Sequence, residues 1–206
     1  MTANIQTVGV IGAGQMGNGI AHVCALAGFD VLLNDIAPER IKSGIATING
    51  NMARQVSKQV ITEDDRQKAL GRIHSAENYE ALTGCDLVIE TATEKEDVKR
   101  KILTDLSAML KPEAILATNT SSISITRLAA VTDRPEKFIG IHFMNPVPLM
   151  ELVELIRGIA TDDVTFEASK TFVNKLHKRI AVSEDFPAFI VNRILLPMIN
   201  EAIYTL

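Results

Sequence analysis

Two groups of residues in this sequence could do chemistry together. His142 directly follows the apolar run Phe138-Ile139-Gly140-Ile141 and precedes the turn-like Phe143-Met144-Asn145-Pro146. A strand ending in this way delivers its last side chain to a crevice, where an imidazole can take a proton near neutral pH. Glu154 falls in the next strand-like stretch, residues 151–156, in which every second residue shares a face. A carboxylate beside His142 would fix the ring tautomer and stabilise the imidazolium. The second group is Gly12-Ala13-Gly14-Gln15-Met16-Gly17, between the apolar run 8–11 and a helical stretch over 18–27. Gly12 permits a tight turn, Gly14 lets a pyrophosphate approach the backbone, and Gly17 lets the helix lie close to the sheet. The helix points its free N–H groups at the phosphates. A second strand over 29–35 ends in Asp35, eighteen residues past Gly17, near the ~20 of a dinucleotide site. A carboxylate there accepts from the adenosine ribose hydroxyls and repels a 2′-phosphate, so the expected cofactor is NAD. A histidine at a strand end is by default a satisfied structural residue. The dinucleotide fingerprint and the polar turn Thr118-Asn119-Thr120-Ser121-Ser122 shift His142 to the catalytic reading.

These side chains need a scaffold, and the rest of the chain supplies one. Residues 38–58 read as a long amphipathic helix with Pro38 at its first position. Thr62-Glu63-Asp64-Asp65 reads as a cap and acidic first turn. Buried strands are expected over 86–90, 114–118 and 138–142, a charged-faced helix over 94–110, and a short helix opened by Ser124. This repeated strand-then-helix order predicts an α/β fold with a doubly wound, mostly parallel, Rossmann-like sheet. Ligands collect at the carboxyl ends of such strands. The texture changes after Phe186, where residues 187–206 form an apolar helix that needs a partner on more than one face. The expected division is an NAD-binding domain over 1–186 and, over 187–206, the first helix of an all-α C-terminal domain that the chain does not continue.

Composition excludes other classes. The 206 residues are 47% hydrophobic with a net charge of −4, both signs interspersed. No basic tract, stacking-aromatic cluster or zinc spacing points to nucleic acid or a metal. No signal peptide and no apolar run of ~18 residues is present, so the expectation is a cytoplasmic protein without a membrane partner. Cys24 and Cys85 read as small buried thiols. The remaining histidines read as structural: His22 in the first helix, His74 in a connection, and His177 in the last turn of a helix, where it suits the dipole.

Five segments in register carry a resemblance: the glycine turn 12–17, the turn 118–122, His142-Phe143-Met144-Asn145-Pro146-Val147-Pro148, Leu152-Val153-Glu154, and Phe189-Ile190-Val191-Asn192-Arg193. Together they resemble the L-3-hydroxyacyl-CoA dehydrogenase family, and within it the short bacterial 3-hydroxybutyryl-CoA type, over the whole chain. The resemblance implies reversible oxidation of (S)-3-hydroxyacyl-CoA to 3-oxoacyl-CoA, with NAD as cofactor and an acyl-CoA as substrate. It implies His142 as base, Glu154 as its carboxylate partner, and Ser121 and Asn192 as the residues holding substrate. It implies Glu94, Lys99, Ser121 and Asn145 as cofactor contacts beside the glycine turn and Asp35. On the long helix it implies Asn51 and Lys58 as coenzyme A contacts, with Arg54 nearby. It also implies a homodimer for the complete enzyme; separately, the apolar residues of 190–206 cover more than one stripe of a helix, so self-association of this chain through that helix is expected. Two positions depart from the family pattern: Glu151, where a basic residue is usual, and Ala188, where a glycine is usual. Rival readings are a relative acting on free hydroxy acids, a structural relative, and an NAD-binding module without full activity. The free-acid enzymes use a catalytic lysine, which the His-Phe-Met-Asn-Pro turn argues against.

Overall fold

The structure, a computed structural model, describes residues 4–206. Strand β1 (Thr7–Ile11) runs through the glycine turn into α1 (Gln15–Leu26), and β2 (Asp30–Asn34) returns parallel to β1. Helices α2 (Pro38–Ser57) and α3 (Glu63–Gly71) lead to β3 (Ile73–Ala76). Pro38 opens α2 as predicted. Thr62 caps α3 in a capping box: its hydroxyl accepts from the Asp65 N–H, and the Asp65 carboxylate accepts from the Thr62 N–H. Then come β4 (Leu87–Glu90), α4 (Glu96–Ser107), β5 (Ile115–Thr118), α5 (Ile125–Ala129) and β6 (Phe138–Phe143). The chain closes with β7 (Leu152–Arg157), α6 (Asp163–Lys175), β8 (Arg179–Glu184) and α7 (Val191–Thr205).

The eight strands lie in one sheet of order β3-β2-β1-β4-β5-β6-β7-β8. Every pairing is parallel except β6 with β7. The predicted Rossmann-like α/β class is therefore the observed one. Successive residues of a strand face opposite sides, so each buried strand serves two cores. Leu87 and Ile89 of β4 pack with Ile20, Ile41 and Met52 of α1 and α2, while Val88 packs with Leu103 and Leu106 of α4. The strand order reverses between β1 and β4, which opens the crevice where ligands of this fold bind.

Four details differ from the sequence reading. His74 lies within β3, not in a connection. That strand is four residues long with only its ends buried, too little alternation to read. Strand β8 is a half-exposed edge strand and was not anticipated for the same reason. His177 lies just past α6 with φ +56°, so it ends the helix in the left-handed region instead of completing its last turn. Helix α4 is shorter at both ends than 94–110; it starts late because Glu94 is held by the turn at Ser121, and it ends at Ser107.

Helix α7 has no buried residue. Ile194, Leu196, Met198, Ile203 and Tyr204 are each more than half exposed. Among the described residues, no helix is long and apolar enough to cross a membrane, and no cluster of side chains could hold a metal ion.

Candidate active site

The crevice at the carboxyl end of the sheet is lined by the turns that follow β1, β2, β4, β5 and β6 and by the start of α7, and its cofactor side follows from steric facts about glycine. Gly12 has φ +96°, a region closed to most side chains, and its N–H donates to the Asn34 carbonyl. A Cβ on Gly17 would lie 1.7 Å from the Gly12 carbonyl oxygen, so only glycine lets α1 start this close to β1. A Cβ on Gly14 would meet no protein atom within 4 Å. The space beside Gly14 is thus open, and no side chain of its own intrudes on it. No side chain caps α1, which leaves its first N–H groups for an external anion.

Asp35 follows β2 directly and is buried. One carboxylate oxygen accepts from the Ala13 N–H at 2.9 Å and the other from the Ala37 N–H at 3.2 Å. It thereby braces the glycine turn while lining a cavity of about 730 Å³ with Gly12 and Ile36. A second cavity of about 530 Å³ is walled by Ala13, Gly14, Gln15, Asn51 and Asn145. A third, of about 470 Å³, brings together Met16, Glu94, Lys99, Ser121, His142 and Asn192, and shares Asn145 with the second. The elongated crevice and open-faced glycine turn fit a dinucleotide.

The reacting end is set by sheet register. His142 of β6 stands directly opposite Glu154 of the antiparallel β7. The His142 ring meets the Glu154 carboxylate through Nδ1 at 2.6 Å and the Ser121 hydroxyl through Nε2 at 3.1 Å. His142 is nearly buried and Glu154 wholly so. The second oxygen of Glu154 accepts from the backbone N–H groups of Ile190 and Val191, at 2.9 and 2.8 Å, where α7 begins. Burial alone would push the Glu154 carboxyl up; the hydrogen bonds from His142, Val191 and Ile190 outweigh it and hold the group below the usual carboxylate range. The Nδ1–H must then point at Glu154, leaving the Nε2 lone pair toward Ser121 and the cavity. Asn192 donates to the Ser121 carbonyl at 2.9 Å, and Asn119 accepts from the Phe143 N–H, tying the turn after β5 to the end of β6.

A sequence profile described as "3-hydroxyacyl-CoA dehydrogenase, NAD binding domain" matches residues 7–186. The chain belongs to the 3-hydroxyacyl-CoA dehydrogenase family. It is 78% identical over 206 residues to a 3-hydroxybutyryl-CoA dehydrogenase of Bradyrhizobium diazoefficiens, covering 100% of this chain and 70% of that relative. A probable 3-hydroxybutyryl-CoA dehydrogenase of Bacillus subtilis is 44% identical over 97% of this chain and 70% of its own length. The crystal structure of (S)-3-hydroxybutyryl-CoA dehydrogenase from Ralstonia eutropha matches with a TM-score of 0.95 and 49% identity, over 97% of this chain and 70% of that one. As a member of the 3-hydroxyacyl-CoA dehydrogenase family, the chain is an NAD-dependent dehydrogenase.

Not every expected site residue stands where a direct contact is simple. Lys99 is 1% exposed, with Nζ 2.6 Å from a Glu90 oxygen, 3.4 Å from the Thr118 hydroxyl and 3.9 Å from Glu94. Its charge is thus spent largely inside this family member's core. Glu94 accepts from the Thr120 hydroxyl at 2.6 Å and from the Ser121 N–H at 2.7 Å, so it shapes the turn that carries Ser121. Asn51 walls the second cavity and accepts from Arg54. Lys58 stands exposed at the end of α2 and lines none of the three cavities. Sequence reasoning missed Glu90, although an acid closing the buried run Leu87-Val88-Ile89 was a signal that it has a buried partner. It also missed the capping of Glu154 by α7, for which no local signal exists.

Proposed function

We propose that this chain interconverts (S)-3-hydroxybutyryl-CoA and acetoacetyl-CoA, with His142 and Glu154 as the general-base pair. The observation that carries the reading is the ordered series Ser121–His142–Glu154–α7, in which each group orients the next. The identity to enzymes named for 3-hydroxybutyryl-CoA supports the substrate. In the oxidation direction, His142 Nε2 takes the proton of the C3 hydroxyl as C3 loses a hydride. Bound NAD supplies the hydride acceptor. Glu154 stays ionised, holds Nδ1–H, and offsets the charge that develops on the ring. Ser121 and Asn192 orient the C3 oxygen and the thioester. Such a positioned base is worth ~10²–10⁴ in rate.

Asp35 with Gly12, Ala13, Gly14, Gln15, Met16 and Gly17 forms the cofactor cradle in this reading, joined by Glu94, Asn145 and, from beneath, Lys99. Asn51 lies on the coenzyme A side; the role of Lys58 there rests on the resemblance alone. We further read residues 1–186 as the nucleotide-binding domain and 187–206 as the opening of a helical one, a division supported by the profile match ending at 186. The exposed apolar face of α7 supports a homodimeric complete enzyme and self-association of this chain. Analytical ultracentrifugation over a concentration series tests the association. NADH oxidation by acetoacetyl-CoA, compared with free acetoacetate, tests the activity. Turnover of the free acid at an equal rate, or undiminished turnover by His142→Asn, would overturn the proposal.

A further inference from the structure

We propose that Asp185, which touches neither partner of the His142–Glu154 pair, is a positioning residue for that pair and for Asn192. The proposal rests on the general-base reading above.

Residues 185–190 carry the chain from β8 to α7 along the crevice, and this crossover is clamped at both ends. At its start, the Asp185 carboxylate accepts three hydrogen bonds at the beginning of α5: from the Ser124 hydroxyl at 2.6 Å, the Ile125 N–H at 2.9 Å and the Thr126 N–H at 2.8 Å. Burial opposes the charge, but the Ser124 hydroxyl and the two amides outweigh it and keep the carboxyl ionised below the usual range. At its end, the Ile190 and Val191 N–H groups hold Glu154, and Asn192 holds the Ser121 carbonyl. Between the clamps the chain folds back through Ala188 (φ +70°) and Phe189 (φ +51°). Phe189 is 4% exposed, its ring centroid 6.3 Å from that of His142. Since α7 buries none of its residues, packing along the helix does not fix where it starts. Its first turn is located by these clamps; Asn192 ties it to Ser121 directly, and Asp185 ties the start of the crossover to residues 124–126 of the same segment. Releasing Asp185 frees the crossover to shift, which moves the donors to Glu154 and the Asn192 amide together.

The test compares Asp185→Asn with Asp86→Asn. Asp86 is a matched control at the opposite end of the sheet: its carboxylate accepts from the Gln6 and Thr7 N–H groups and from Lys111. In the intact enzyme with NADH and acetoacetyl-CoA, Asp185→Asn is expected to lower kcat by about 10- to 100-fold, the scale of a small misplacement at a reacting centre. KM for NADH should stay within about twofold, since the glycine turn is untouched. The low-field proton signal of the His142 Nδ1–H, read by NMR, should move or broaden. Asp86→Asn should lower Tm while kcat and that signal match the parent. If Asp185→Asn loses only Tm, with kcat and the proton signal unchanged, the positioning role is overturned. If Asp185→Asn does not fold, Ser124→Ala removes one donor of three and should show a smaller loss in kcat with the same signal change; parental behaviour there overturns the proposal as well. His142→Asn separates the two levels. Its full turnover would overturn the base reading itself, whereas its loss alongside an active Asp185→Asn overturns only the positioning.

Discussion

Helices α1 and α7 both begin with backbone N–H groups directed into the crevice, yet they are held by opposite means. Helix α1 buries eight of its twelve residues, and its start is set by the Gly12–Gly17 contact within the core. No protein side chain caps it, so the attraction of its N-terminus for anions is directed outward. Helix α7 buries none of its fifteen residues, and its first N–H groups are taken by Glu154. The same electrostatics serves an external ligand in one case and an internal carboxylate in the other. A start locked by packing can leave its donors free. A start without packing is located by its donors, and Glu154 is then both the hydrogen-bond partner of His142 and the cap of a helix.

The largest expected effect breaks the α7 side of this comparison. Glu154→Gln keeps the shape but loses the charge facing both His142 and the α7 amides; kcat should fall by ~10²-fold or more while NADH affinity changes only a few-fold. Equal loss of both, by stopped-flow turnover and fluorescence titration, would make Glu154 a general stability residue. Next in size are two glycine substitutions at the start of α1, Gly14 just before it and Gly17 in its first turn. Gly17→Ala forces a clash with a backbone carbonyl and should cost about 1–3 kcal/mol of stability, by urea denaturation, with NADH binding lost as well. Gly14→Ala meets no protein atom, so stability should be parental while NADH affinity falls about tenfold or more. Equal stability losses in the two variants would mean that packing does not set the start of α1.

A smaller effect is the acid response. The folded-state pKa of Glu154 is lowered. Its stabilisation is therefore fully present above the unfolded value of about 4.3 and is lost as pH falls through the lower folded value. Denaturation midpoints followed from pH 6 to pH 3 should decline less steeply in Glu154→Gln than in the parent. Identical slopes would mean that the α7 amides do not favour the ionised form. The smallest effect is at Ala188, which adopts φ +70°, in the left-handed region that favours glycine. Relief of about 1–2 kcal/mol of left-handed strain, less glycine's ~0.4–1 kcal/mol of unfolded-chain entropy, should leave Ala188→Gly slightly more stable. That corresponds to a rise of a few degrees at most in Tm by calorimetry; a fall would show that a stiff crossover matters more than an unstrained one.

Legibility in the sequence followed the locality of the cause. The glycine turn, the Thr62 cap and the apolar runs of the buried strands depend on residues within a few positions of one another, and each is readable in the sequence. Strands β3 and β8 were not, because four or six residues at the sheet margin carry too little alternation to announce themselves. His142 and Glu154 were paired from strand periodicity and from the family resemblance, and the antiparallel register then put them face to face. Lys99 shows the limit of transferring a role by register. A lysine on a charged helix gave no sign that it would be buried against Glu90 and Thr118, residues on two neighbouring strands.

By itself the sequence determined the α/β class, the glycine turn with an acid at the end of the second strand, NAD as the cofactor, and the family. All of these rest on short-range steric and hydrogen-bonding rules that any chain with those residues must obey. Only the tertiary structure decided that Glu154 caps α7, that Asp185 clamps the crossover to α5, that Lys99 is buried against Glu90, and that Lys58 stands apart from the crevice. Those outcomes depend on which strands become neighbours and on where a distant segment comes to rest, distances set by packing of the whole sheet and not by spacing along the chain.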